Sequence, residues 1–164
     1  GEFPLDKIIN YFKGSHRTLV FTSEDINNLM FTKYGHGDVL VIMSILYPWA
    51  DLRNNFHMDH IFPKSEFTKK RLEKRGVPSE SIEYYLDNYN YIANLQLLES
   101  IPNIEKSNMD FEKWIDKTIP LEVLADYKNK HLIAQNINLD ITNFKQFLER
   151  REELIINKLE TELL

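Results

Sequence analysis

The chain contains no cysteine, which excludes disulfides and every thiolate-held zinc or iron site. That suits a reducing cytoplasm, the compartment expected for it. A membrane-spanning helix needs roughly 18–20 consecutive apolar residues. The best run here, VLVIMSILYPWA over 39–50, stops at Pro48, so no membrane partner is expected. The opening GEFPLDKIINYF lacks a basic stretch followed by an apolar one, and so does not read as a secretory leader. No glycine-rich phosphate loop is present to suggest an NTPase. Repeats and low-complexity segments are absent too. Positive charge is in deficit, 20 Lys and Arg against 25 Asp and Glu for a net −5. That argues against broad, charge-driven nucleic-acid binding. The first residue is Gly1 rather than methionine, and the expectation is an excised fragment with Gly1-Glu2-Phe3 as a cloning remnant.

What remains is an ordinary globular composition: 164 residues, 43% apolar and 27% charged, enough for one domain with a proper core. Thr22 or Ser23 caps a helix over 22–31, with Glu24 and Asp25 well placed in its first turn. Residues 39–47 read as a buried helix ended by Pro48. A short strand is expected over 55–61, a helix over 66–76 stopped at Gly76, and another helix over 79–90. YIANLQLLES (91–100) reads as a second strand, and Pro102 favours the first turn of a helix. Helices follow over 109–117 and 120–133. The last segment carries a stripe of Ile141, Phe144, Phe147, Leu148, Ile155, Leu159 and Leu163 at helical spacing, a core or docking face. The expected class is mainly α with a small strand–loop–strand–helix element, hence α+β. It divides into an N-terminal helical part (1–53), a central part (54–108) and C-terminal helices (109–164).

Two features break this plain pattern. Residues 64–75 hold Lys64, Lys69, Lys70, Arg71, Lys74 and Arg75 against Glu66 and Glu73, a basic run inside an acidic chain. Such a run is ordinarily a solvated helix face. Four residues before it begins, NNFHMDHIFPKSEF packs His57, Asp59 and His60 into four positions. An Asp beside a His is more often a structural pair than a catalytic one. Downstream, however, Asn94 sits among apolar residues in ANLQLL, and Asn103 and Lys106 stand at an expected helix start. An Asp-His at one strand end, an Asn in a second strand and an oxygen donor at a helix head could converge on one metal.

In DHIFPKS, NLQLL and NIEK, taken in that order, the sequence resembles the three parts of the HNH, or His-Me finger, endonuclease motif. The closest subtype is the C-terminal nuclease domain of GmrSD-type modification-dependent restriction enzymes. The resemblance covers residues 57–106, about a third of the chain. It implies an embedded ββα-metal element and a bacterial restriction or anti-phage protein that hydrolyses phosphodiesters in double-stranded DNA, modified or not. An upstream NTPase or DNA-reading domain would lie outside this fragment.

The resemblance also implies roles. His60 becomes the general base, because a neutral imidazole titrates near operating pH. Asp59 and the Asn103 carbonyl become ligands to one Mg²⁺ or Mn²⁺, which oxygen donors select. Asn94 pins the loop after the base, and Lys106 contacts a phosphate. His57 is a neighbour of the metal or a bystander. Lys64, Ser65, Lys69, Lys70, Arg71 and Lys74 become candidate DNA contacts. The sequence departs from the family in three ways. Asn103 stands where many members have His, a variant shared with the HNH domains of type II CRISPR effectors. Bracing cysteines are missing, and the gap from His60 to Asn94 is long. The rival expectations are a silent binding or assembly module on this scaffold, and a ribonuclease or toxin. Toxins of this fold are usually strongly basic, which this chain is not.

Overall fold

The computed structural model describes residues 21–51 and 55–164. The expectations for Gly1–Phe3, together with His16, to which no role was assigned, lie outside the described residues. The described chain is mainly helical, with one two-stranded sheet. Its elements are α1 (Ser23–Leu29), α2 (Asp38–Leu46), β1 (Phe56–His60), α3 (Lys69–Lys74), α4 (Ser79–Asn88), β2 (Leu95–Glu99), α5 (Ser100–Lys106), α6 (Phe111–Thr118), α7 (Leu121–Lys130) and α8 (Phe144–Leu163). Short 3₁₀ turns at Lys64–Glu66, Ile92–Asn94 and Ile141–Asn143 precede α3, β2 and α8.

Local chemistry sets most boundaries. Thr22 caps α1 through a reciprocal box with Asp25. Thr68 and Asp110 accept from backbone N–H groups at the starts of α3 and α6. Beyond α3 the chain reverses at Gly76, whose φ of +85° a side-chain-bearing residue would resist. Three expected boundaries shift. The second strand begins only at Leu95, because Ile92–Asn94 winds into a 3₁₀ turn. The basic helix begins at Lys69, where Thr68 supplies the cap. Ile141 belongs to the turn before α8, nucleated by Asp140.

β1 and β2 pair antiparallel with His57 opposite Leu98, Asp59 opposite Gln96 and His60 opposite Leu95. Because successive side chains alternate, the sheet has two unlike faces. Phe56, Met58, Leu95 and Leu97 join a core with Ile26, Ile42, Met43 and Leu46 from α1 and α2. On the other side, Leu98 joins an aromatic core built on Phe62, Phe67, Tyr85, Phe111, Trp114, Phe144 and Phe147. The sheet thus lies between two hydrophobic clusters, and α8 serves both. Its early residues Phe144, Phe147 and Leu148 enter the aromatic core, while Ile155 and Leu159 enter the other.

Between these two groups α8 buries Arg151 completely. The guanidinium donates to the carbonyls of Ile92 (3.2 Å), Ala93 (2.8 Å) and His131 (3.1 Å). A turn that leaves its carbonyls inside a core needs such donors. This one delivers Asn94 and β2 to the centre of the molecule.

Candidate functional site

β1, β2 and α5 stand together: the helix follows directly after the second strand and packs on both. Asn94 ends the turn before β2 and is fully buried. Its Oδ1 accepts from Phe62 N–H (3.0 Å), and its Nδ2 donates to the carbonyls of Phe62 (3.1 Å) and Tyr89 (2.8 Å). The Asn94 carbonyl accepts from Ile61 N–H (2.8 Å). One side chain therefore holds both polar groups of Phe62, two residues beyond His60, at a fixed distance from the start of β2.

Asp59 lies on the sheet face that looks toward α5, and little of it reaches solvent. Its Oδ2 accepts from Gln96 Nε2 (2.8 Å) and pairs with Lys106 Nζ (3.0 Å). Tyr127 Oη donates to Gln96 Oε1 (3.0 Å), which turns the amide so that its NH₂ faces the carboxylate. Burial pushes the Asp59 carboxyl up and the Lys106 ammonium down, while their mutual attraction opposes both shifts. Asp59 Oδ1 has no hydrogen-bond partner among the described residues.

Lys106 departs from the role expected of it. It is the last residue of α5 rather than part of a first turn, because the helix already begins at Ser100. Its side chain is fully buried, ion-paired to Asp59, and donates to the His60 carbonyl (2.8 Å). An ammonium so enclosed is not presented to a phosphate; it ties the end of α5 to the end of β1.

His57 shares Asp59's face, and its Nε2 lies 3.0 Å from Ser100 Oγ. Three contacts thus orient α5 against β1: Ser100 to His57, and Lys106 to Asp59 and to the His60 carbonyl. Asn103 falls midway between Ser100 and Lys106 on that arc of the helix, one turn from each. It is half-buried, and its side chain has no hydrogen-bond partner among the described residues.

His60 faces the other way. As the last residue of β1 it sits half-buried where the chain leaves the sheet. Tyr34 lies over its ring at 4.7 Å between centroids, and Tyr89 stands at 6.2 Å. The segment carrying Tyr34 is laced to the stretch before β2: Tyr34 N–H donates to the Asn90 carbonyl (2.8 Å) and Ile92 N–H to the Thr32 carbonyl (3.0 Å). Burial holds the imidazole below its usual range, opposed by the hydrogen bond it donates to Asn90 and by Asp59. The neutral form, the one able to take a proton, is thereby favoured.

The expected residues are therefore gathered but not clustered. Asp59, His57 and Asn103 share the α5 side of the sheet; His60 emerges at the strand end on the opposite side; Asn94 is a strut beneath both. Among the described residues no three His, Cys, Asp or Glu side chains come together as a metal-holding group. The available donors, one carboxylate oxygen and one amide carbonyl, suit a hard ion that keeps most of its water, as Mg²⁺ does.

Of the candidate DNA contacts, Lys64, Lys69, Lys70, Arg71 and Lys74 are exposed. Arg71 pairs with Glu66 (3.2 Å), and Lys64 is close enough to bear on the charge of His60. Ser65 does not belong with them: its Oγ is buried and has no partner, since the 3₁₀ turn points it inward. Arg75 is likewise committed, to Glu66 (3.1 Å) and Asp110 (2.6 Å). Three polar residues that pattern alone did not single out, Asn90, Gln96 and Tyr127, hold the two central side chains. Asn90 lies in DNYNY and carried no motif signal, while Gln96 was visible only as a polar break in an apolar strand.

No family model matches the sequence, and comparison with curated proteins finds no similar chain.

Proposed function

We propose that the β1–β2–α5 element is the centre of a metal-dependent DNA endonuclease, a phosphodiesterase of the HNH or His-Me finger type serving a bacterial defence system. The observation that carries this reading is the placement of Asn103 on the arc of α5 that already touches His57 and Asp59. Among the described residues neither Asp59 Oδ1 nor the Asn103 side chain has a hydrogen-bond partner, and the strand that carries Asp59 ends in His60.

Asp59 and Asn103 would hold one Mg²⁺ or Mn²⁺, which when bound would neutralise charge on the phosphoryl oxygens and assist the departing oxygen. His60, neutral at working pH, takes the proton of the attacking water. Asn94 keeps the backbone after His60 from drifting, and Lys106 fixes Asp59 and the His60 carbonyl in one rigid unit. Lys64 and the exposed lysines of α3 supply local attraction for a duplex that the acidic average would repel. Support for the reading comes from the order of the three motif parts and from the strand–strand–helix succession that carries them.

A second reading has one observation in its favour: Lys106 already neutralises Asp59, as a metal-free binding module on this scaffold would require. Titration with Mn²⁺ in the presence of DNA separates the two. The nuclease reading expects binding that survives His60→Ala and disappears in Asp59→Ala and Asn103→Ala. Binding that is absent throughout, or indifferent to Asp59, favours the module.

A further inference from the structure

We infer that Asn90 is a positioning residue that fixes His60 in the tautomer protonated at Nε2, so that Nδ1 is the atom available to accept a proton. The inference rests on the reading of His60 as the general base, and it adds which nitrogen performs that role and what holds it there.

The geometry is specific. His60 Nε2 lies 2.8 Å from Asn90 Oδ1. An amide oxygen can only accept, so the imidazole nitrogen facing it must carry the hydrogen. In a neutral ring the lone pair then belongs to Nδ1. Asn90 is in turn held from its backbone, whose carbonyl accepts from Tyr34 N–H (2.8 Å), and the Tyr34 ring covers the imidazole. Lys33 and Tyr91, the next residues along, pair antiparallel, and Ile92 N–H donates to the Thr32 carbonyl (3.0 Å) beyond them. The backbone of Asn90 is therefore anchored by two successive hydrogen bonds. Asn94, four residues on, anchors the far end of the same stretch through Tyr89 and Phe62.

An enzyme whose base is committed to one tautomer gains from the commitment only while the partner persists. Replacing Asn90 with Leu removes the acceptor at similar volume; Asn90→Asp keeps an acceptor oxygen in the same place. The experiment uses protein labelled with ¹⁵N in histidine, with His60 resonances assigned from their loss in His60→Gln, and is read where the imidazole is neutral. The wild-type protein should show a pyrrole-like Nε2 with a slowly exchanging proton, and a pyridine-like Nδ1. The slow proton should vanish in Asn90→Leu and return in Asn90→Asp. Cleavage of plasmid DNA should fall about tenfold to a hundredfold in Asn90→Leu, the range for loss of a group that orients a ligand or base, and recover at least in part in Asn90→Asp. A pyridine-like Nε2 in the wild-type protein overturns the assignment. An unchanged cleavage rate in Asn90→Leu, with the slow proton lost, overturns the positioning role. The spectrum needs neither substrate nor metal, so absence of cleavage by the wild-type protein would count against the nuclease reading and leave the tautomer assignment to stand or fall on the resonances.

Discussion

Lys106→Met should cost the fold about 3–5 kcal/mol, the range found when one partner of a buried ion pair is removed. Methionine fills nearly the same volume, so a cavity contributes little. The loss is electrostatic. Asp59, almost sealed from water, would be left with the Gln96 amide (2.8 Å) alone, and must either hold an unpaired charge or take up a proton at a cost. The His60 carbonyl would also lose its donor at 2.8 Å. Urea unfolding measures the effect as a lower midpoint with an unchanged slope. Adding Asp59→Asn to Lys106→Met should restore a good part of the stability, because the stranded charge is then gone and Gln96 retains an acceptor. A loss below about 1 kcal/mol in the single variant, or no recovery in the double one, would mean that the pair does not form as placed.

Acid should weaken the protein well before its ordinary carboxylates titrate, and His131 is the reason. Its ring is buried, stacked on Tyr127 at 4.3 Å, with Trp49 nearby and Nδ1 3.1 Å from Tyr47 Oη. Burial, reinforced by the charges of Arg151 and Lys130, pushes its pKa down to about 3 from 6.5. Between those values the unfolded chain binds a proton that the folded one refuses, so stability falls as pH is lowered. The contribution is complete above about pH 6.5 and declines by about 1.4 kcal/mol per unit below it. His60 is shifted in the same direction and adds to the slope. Urea midpoints taken at intervals from neutral pH down to about pH 5 should show the decline. His131→Phe should flatten it, whatever its effect on stability at neutral pH. An equally steep slope in that variant would place the acid sensitivity elsewhere.

Much of the scaffold was legible in the sequence because it is encoded locally. Pro48, Gly76 and Pro102 punctuate the chain, and Thr22 and Thr68 cap helices. The stripe on the last helix announces a buried face, and α8 does bury Phe144, Phe147, Leu148, Ile155 and Leu159. What escaped was whatever depends on register and on partners far along the chain. Gln96 meets Asp59 only because β1 and β2 pair in one particular alignment. Lys106 looks like any helix lysine until α5 starts six residues earlier and carries it underneath β1. His131, 71 positions beyond His60 and given no role from pattern, is walled in by Tyr47, Trp49 and Tyr127. Asp59 and His60 are neighbours in sequence, yet strand alternation turns their side chains to opposite faces. Adjacency in a motif therefore did not reveal how the two would be divided between an ion-paired interior and an open strand end.

Cleavage of plasmid DNA tests the central claim most directly. The protein should convert supercoiled DNA to nicked or linear forms in Mg²⁺ or Mn²⁺ and stop when EDTA is added. His60→Ala should lower the rate by about 10²–10⁴-fold, the range for a general base, while Mn²⁺ is still bound. RNA and single-stranded DNA, offered in parallel, should be poorer substrates than duplex. Cutting by His60→Ala at the wild-type rate, or cutting that EDTA leaves untouched, would contradict the account.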